Sequence, residues 1–255
     1  MKITILTQFP EMFPGVLEAS MLGRAQQGGL LEIKTVNIRD YTKDKHRRTD
    51  DAPFGGGAGM VMSPQPAFDA LRACGAEGKR IIYMSPRGRL LDQELAQELA
   101  AEEEFFVLCG HYEGIDERII EAWNMEEVSI GDYVLTGGEL AAMVMIDCAC
   151  RFVPGVLGSE VSLEEESIYS GLLEYPHYTK PRNFEGYEVP QVLVEGNHKL
   201  IRLWQFEQAL RITARRRPDM LAAFLESPRK FSKDEKKIID EILRETQGIE
   251  AEKQR

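Results

Sequence analysis

Residues 105–118 read FFVLCGHYEGIDER. An apolar run ends on Cys109, and a loop carrying Gly110 and Gly114 follows it. A short continuous apolar run bounded by turn residues is the pattern of a strand buried on both faces. Two other runs match it, KITILT at 2–7 and RIIYM at 80–84. Helical patterns lie between them. Ser63 and Pro64 form a cap and first-turn pair for a helix through about Cys74. Asp92 is placed to cap a helix carrying Leu95 and Leu99 one turn apart. Residues 138–150 (GELAAMVMIDCAC) predict a helix apolar nearly all round and hence buried. Strands alternating with helices predict βαβ units and a largely parallel sheet, an α/β fold.

Beyond Arg151 the character changes. Residues 159–170 are polar and acidic, with little to bury, and read as a flexible exposed linker. Pro176, Pro181 and Pro190 then punctuate a turn-rich stretch. A helix is expected from about His198, with Leu203, Phe206 and Leu210 on one face and Arg211, Arg215, Arg216 and Arg217 crowding its end before Pro218. A last helix is expected near 233–246. This predicts two domains, 1–158 and 171–255, the second helical.

The 255 residues are 43% hydrophobic and 29% charged, which excludes a disordered chain. No apolar run approaches the roughly 18–20 residues of a bilayer span. The opening MKITILTQFPEMF lacks the long apolar region and cleavage site of a secretory leader. The four cysteines form no Cys-x-x-Cys, so a disulfide scaffold or zinc ribbon is not expected, and a cytoplasmic location is. Net charge is −11, but it is uneven: residues 101–200 hold 5 Lys/Arg against 20 Asp/Glu, and residues 201–255 hold 13 against 10. That pattern disfavours bulk-charge binding of nucleic acid and leaves room for recognition of a shaped RNA by local basic patches.

Four loops carry the chemistry. Residues 53–60 (PFGGGAGM) hold four glycines in five positions. No Gly-Lys-Ser/Thr follows, and no clear strand precedes, so neither a P-loop nor a dinucleotide fingerprint fits. A plain surface loop reads equally well there. The other three, 83–88 (YMSPRG), 109–118 (CGHYEGIDER) and 129–139 (SIGDYVLTGGE), each sit at or beyond an apparent strand end. In open α/β sheets, ligands bind outside the carboxyl ends of strands. Three such loops can build one pocket largely from backbone groups, suited to a nucleotide-like ligand. His111 beside Tyr112 and Glu113 reads as an acid/base candidate or as a hydrogen-bonded loop histidine. The four histidines show no metal-ligand spacing. Glu164, Glu165 and Glu166 read as a solvated charge run, and the Arg211–Arg217 cluster as a phosphate patch or as a helix C-terminus favoured by cations.

Together, PFGGGAGM, CGHYEGIDER, SIGDYVLTGGE and GLLEYPHYTKP (171–181) resemble the bacterial tRNA (guanine-N1-)-methyltransferase family, TrmD. RFVPGVLG (151–158), FPEMF (9–13) and Gly196-Asn197-His198 extend the resemblance to most of the chain. It implies a SPOUT-type parallel sheet with a deep trefoil knot, followed by a smaller helical C-terminal domain. It implies methylation of N1 of the guanine immediately 3′ of the anticodon of tRNA, S-adenosyl-L-methionine as donor, Mg2+ as a supporting ion with no assignable site, and a homodimer whose active sites are shared between subunits. No membrane partner is implied. Carried over by motif position, the donor pocket falls on Tyr83, Ser85, Pro86, Gly110, Tyr112, Glu113, Ser129, Ile130, Gly131, Asp132, Tyr133, Val134, Leu135, Gly137 and Gly138.

Guanine N1 bears a proton and is a poor nucleophile, so the reaction needs a general base, and a cation to stabilise charge developing at O6. The resemblance puts the cation at Arg151 and the base at Glu166, where family members carry aspartate, with Glu165 as the rival. Lys180 stands where arginine is common in the family. Asp50, Gly55, Gly56, Gly57, Gly59, His177, Arg211, Arg215, Arg216 and Arg217 are the candidates for tRNA contact. A non-catalytic RNA-binding module and a nucleotide-binding enzyme of unrelated chemistry are the competing readings.

Overall fold

A computed structural model describes residues 1–157 and 170–253. The chain divides into two compact units, Met1–Gly158 and Ser159–Arg255.

The first unit is built on a five-stranded parallel sheet, ordered β2-β1-β6-β5-β7. Its strands are β1 (Lys2–Thr7), β2 (Glu32–Asn37), β5 (Arg80–Leu90), β6 (Glu104–Leu108) and β7 (Glu126–Ser129). The three apolar runs form β1, β6 and the first half of β5. β2 and β7 lack such a run: EIKTVN is only half-buried and EEVS is acidic, as suits the two edges. A separate two-stranded ribbon, β3 (Asp50–Asp51) with β4 (Val61–Met62), closes the base of the glycine-rich loop.

Alternation along the interior strands feeds two cores. Ile3, Ile5, Ile82, Phe105 and Val107 face α2 (Ser20–Gln27), α4 (Gln93–Ala100) and α6 (Glu139–Cys150). Leu6, Ile81, Phe106 and Leu108 face α3 (Pro64–Ala73) and α5 (Glu117–Ala122). A helical layer on each side is the usual environment of a parallel sheet, and truncating a ring such as Phe106 to alanine costs about 3–5 kcal/mol. The short α1 (Pro14–Leu17) precedes α2.

Helix starts follow their residues. Asp92 accepts from the Leu95 amide at 2.9 Å, and Asp116 caps α5 through the Arg118 amide at 3.0 Å. Ser63 occupies the cap position of α3 but makes no side-chain capping bond; Pro64 fixes the first turn instead. α6 departs from expectation in one respect. It is not buried all round, because Leu140 and Val144, one turn apart, are 49% and 50% exposed, with Cys148 part-buried a turn further on.

β5 also runs past Met84, where Pro86 suggests a stop. It pairs Met84 with Val128, bulges, then pairs Arg89 with the same Val128 and Leu90 with Ser129. Gly88 lies in that bulge. A Cβ there would stand 2.2 Å from the Glu127 carbonyl carbon and 2.3 Å from the Val128 nitrogen, so only glycine lets the two backbones approach.

The second unit contains α7 (His198–Arg216), α8 (Pro218–Glu226), α9 (Lys233–Lys253) and a hairpin of β8 (Asn183–Phe184) with β9 (Tyr187–Glu188). Leu172, Leu210, Leu221, Phe224, Ile239 and Ile242 form its core. Asn197 caps α7 through the amides of Lys199 and Leu200. Thr213 is fully buried; its hydroxyl donates to the Ala209 carbonyl and accepts from the Leu173 amide, tying the incoming chain to α7. Among the described residues no helix is long and apolar enough to cross a membrane.

Candidate functional site

β6, β5 and β7 are neighbours and parallel, so the loops that leave their carboxyl ends emerge on one edge of the sheet. Those loops line a single cavity of about 420 Å3. That volume lies in the range of small-molecule and cofactor sites, and its position at strand carboxyl ends is the expected one for this architecture.

The bulge of β5 supplies Ser85, Pro86 and Arg87, with Tyr83 beneath them. The loop after β6 supplies Gly110, His111, Tyr112 and Glu113. The β7–α6 loop supplies Ser129, Ile130, Gly131, Tyr133, Val134, Leu135, Gly137 and Gly138. Of the fifteen positions assigned to the pocket, only Asp132 is not among the lining residues; it is exposed.

Main chain makes much of this wall. The Gly138 amide donates to the Gly110 carbonyl at 2.8 Å, and His111 and Gly137 form an isolated antiparallel bridge. Gly110 is required by close approach: a Cβ there would lie 2.7 Å from the Tyr83 ring. Tyr83 is buried, and that burial, followed by the Glu127 charge, raises its phenol above the ordinary value. Tyr112 sits in the left-handed region at φ 62°, held by a bond from its hydroxyl to Gln8 Oε1 at 3.2 Å.

Four charged or polar lining residues, Arg87, His111, Glu117 and Thr136, lie outside the positions that the motifs assign to the pocket. Arg87 hydrogen-bonds Glu127 and Glu117, each at 3.1 Å, and these contacts raise its pKa. Glu117 lines the same rim. His111 faces the cavity with its ring against Phe9, centroids 4.8 Å apart. Arg87 and Glu117 sit on an exposed rim that follows no periodicity, so nothing in the sequence separates them from ordinary surface charge, whereas His111 is the loop histidine that the sequence singles out.

Arg151 caps the far end of α6 and is not among the cavity-lining residues. At 1.5 Å per residue, the helix separates it from Gly138 by about 20 Å. Glu166 and Glu165, with residues 159–169 of the linker, lie outside the described residues.

The positions expected to touch tRNA are distributed over both units. Asp50 pairs with Met62 across the small ribbon. Gly55, Gly56 and Gly57 are exposed, with open space where a Cβ would stand, whereas Gly59 packs on the Glu113 side chain. His177 pairs with Glu174 at 2.8 Å. Arg211 is forked between Glu207 and Glu245, which raises its pKa. Arg217 pairs with Asp219. Arg215 and Arg216 are exposed and form no ion pair among the described residues. No group of three or more potential metal ligands occurs among the described residues.

The fold and cavity define an α/β protein with a small-molecule site at the carboxyl edge of a parallel sheet. Its sequence matches, over residues 1–223, the family described as tRNA (Guanine-1)-methyltransferase TrmD. It is 52% identical over 246 residues to a tRNA (guanine-N(1)-)-methyltransferase of Desulforamulus reducens, covering 95% of each chain. To the protein of that name from Ruminiclostridium cellulolyticum it is 56% identical over 223 residues, covering 86% of this chain and 96% of the relative. A third such relative, from Carboxydothermus hydrogenoformans, is 54% identical over 239 residues, covering 94% of this chain and 92% of its own. The chain belongs to the TrmD family of tRNA (guanine-1)-methyltransferases.

Proposed function

We propose that the protein transfers a methyl group from S-adenosyl-L-methionine to N1 of the guanine immediately 3′ of the anticodon of tRNA, in the cytoplasm. The observation that carries this reading is the convergence of three glycine-bearing loops on one cavity. The cavity fits the donor on this chain's own terms. Its volume suits a nucleoside-sized ligand, and at Gly110 a side chain would collide with the wall. When bound, the donor supplies a methyl group already activated on a sulfonium sulfur.

The protein's share is then alignment and proton management. Backbone groups of Gly110, Gly131, Gly137 and Gly138 cradle the donor, with Tyr83 and Pro86 as apolar walls. Arg151 stabilises the negative charge that develops at O6 as N1 loses its proton. Glu166 accepts that proton; its side chain is one methylene longer than aspartate, and Glu165 is the neighbouring alternative. We assign no site to Mg2+.

Two features support a homodimer with shared sites. Arg151 stands about 20 Å along α6 from Gly138 and does not line its own chain's cavity, which supports delivery of this arginine by a second chain. The half-exposed Leu140 and Val144 of α6, with Cys148 in line, give the apolar stripe on which such a pair would form. For the first unit we adopt the SPOUT-type fold with its deep trefoil knot. The bulge at Gly88, where the β5 and β7 backbones come too close for any side chain, is compatible with a threaded chain.

The test is transfer of labelled methyl from the donor to unmodified tRNA. Label should appear on a transcript with guanine after the anticodon and be absent from one with adenine there. No incorporation into either transcript overturns the proposal.

A further inference from the structure

Glu139 is the first residue of α6, and its side chain is 1% exposed. Desolvating a carboxylate costs several kcal/mol unless partners offset it, and apolar packing in its place is commonly no less stable. The start of a twelve-residue helix favours the charge in part. The remaining partners form a closed ring. Glu139 Oε1 accepts from the Thr7 hydroxyl at 2.8 Å. The Thr7 hydroxyl in turn accepts from the Phe9 amide at 2.9 Å. The Phe9 ring lies on His111, and His111 Nε2 returns to Glu139 Oε2 at 3.4 Å.

The ring joins three parts of the chain. Thr7 ends β1 and is itself fully buried; His111 belongs to the loop after β6 and lines the cavity; Glu139 follows the β7–α6 loop. The carboxylate also pushes the buried Cys109 thiol, at the end of β6, further above its ordinary value than burial alone does. Two backbone links lie directly beside it, the Gly138–Gly110 hydrogen bond and the His111–Gly137 bridge. At Gly137 a Cβ would stand 2.4 Å from His111 Nε2 and 2.5 Å from Glu139 Oε2, so the clasp closes directly against the cavity wall.

We propose that Glu139 is a positioning residue for donor binding: through Thr7 and His111 it clasps two of the cavity's loops to the end of β1 and sets the width between them. The inference rests on reading this cavity as the donor site. It gives a buried carboxylate, which the methyl-transfer chemistry does not use, the task of pre-arranging a wall made mostly of backbone.

The experiment compares Glu139→Ala and Glu139→Gln by calorimetry with S-adenosylhomocysteine, at a temperature where circular dichroism shows each fully folded. Alanine removes both links; glutamine keeps an acceptor for Thr7 and a polar contact for His111. Alanine should weaken binding by about tenfold or more, the scale of one charge-assisted bond, while glutamine stays within about threefold of wild type. In turnover, the alanine variant should show a donor KM raised about tenfold, with kcat at saturating donor lowered less than about threefold and the tRNA KM unchanged. Alanine binding as tightly as wild type, or glutamine failing as badly as alanine, overturns the proposal. Should alanine not fold, Thr7→Val breaks the same ring and must weaken donor binding. Hydrogen exchange of the Gly138 amide reads the clasp without any ligand. It should be about tenfold faster in the alanine variant and unchanged in the glutamine one. A wild-type chain that binds no S-adenosylhomocysteine sinks the donor reading alone, and the exchange result still decides the clasp.

Discussion

Gly138 and Arg151 cap opposite ends of one helix, α6; the glycine lines the cavity and the arginine does not. The shared site proposed above draws them from two chains. Complementation reads this directly. Arg151→Ala and a donor-site variant such as Gly110→Val should each be inactive, and mixing and refolding the two should restore about a quarter of wild-type activity through mixed dimers carrying one intact site. Silence from the mixture would place the arginine and the cavity in the same subunit.

Val144 offers a test of the surface proposed to join the chains. It is half-exposed in the middle of α6. Val144→Asp puts a charge into an apolar stripe that a partner would cover. Sedimentation should show a dimer for wild type and a monomer for the variant, with activity falling in step. A dimeric variant with full activity rules this stripe out.

Gly88 and Gly110 separate stability from binding. At Gly88 the obstacle is the backbone of β7, which has nowhere to go; Gly88→Ala should cost about 1–3 kcal/mol or more, read as a lower urea midpoint. At Gly110 the obstacle is the Tyr83 ring in the cavity wall. Gly110→Ala should weaken donor binding by at least about tenfold with a smaller loss of stability. Equal and small effects at both would mean that the bulge and the cavity wall tolerate side chains.

The arginines at the end of α7 divide by their partners. Arg211 is committed to Glu207 and Glu245, so Arg211→Gln should lower the melting temperature and leave tRNA affinity unaltered. Arg215 and Arg216 face solvent. Replacing either with glutamine should weaken tRNA binding and lower the salt slope by about one for each phosphate no longer neutralised. Unchanged slopes in both variants would exclude them from the RNA surface.

Acid sensitivity follows from Asp44. The Arg48 side chain, hydrogen-bonded to it, lowers its pKa to about 2, helped by the Arg48 and His46 amides. A carboxyl depressed on folding adds stability that is complete above its unfolded pKa, about 3.9, and disappears as pH falls through the folded value. Arg48→Ala should therefore melt slightly below wild type at pH 6, the gap closing between about pH 4 and pH 2. A gap that persists at pH 2 would trace Arg48 to another role.

How far the sequence can be read depends on how much each segment buries. β1 and β6 are covered on both faces, so KITILT and FFVLC announce themselves. β7 does not, because Glu126 and Glu127 in its four residues are used as partners for Arg80 and Arg87 rather than left in solvent. β5 hides its second half behind Pro86, since a strand that bulges away and rejoins its neighbour looks like a turn. The cavity is legible because glycines after neighbouring strands leave a compositional trace. The clasp of Thr7, Phe9, His111 and Glu139 leaves none; its members are spread along the chain and meet only when β1, β6 and α6 pack together.

A binding wall made of peptide groups has another consequence. Point substitution exchanges side chains but, proline aside, leaves the peptide N–H and C=O groups in place, and a Cβ at Gly110 or Gly137 would collide with Tyr83 or with His111 and Glu139 in the wall itself. If the donor binds there as proposed, a competitor that copies its contacts with that wall would leave the enzyme few ways to evolve resistance without losing its own substrate.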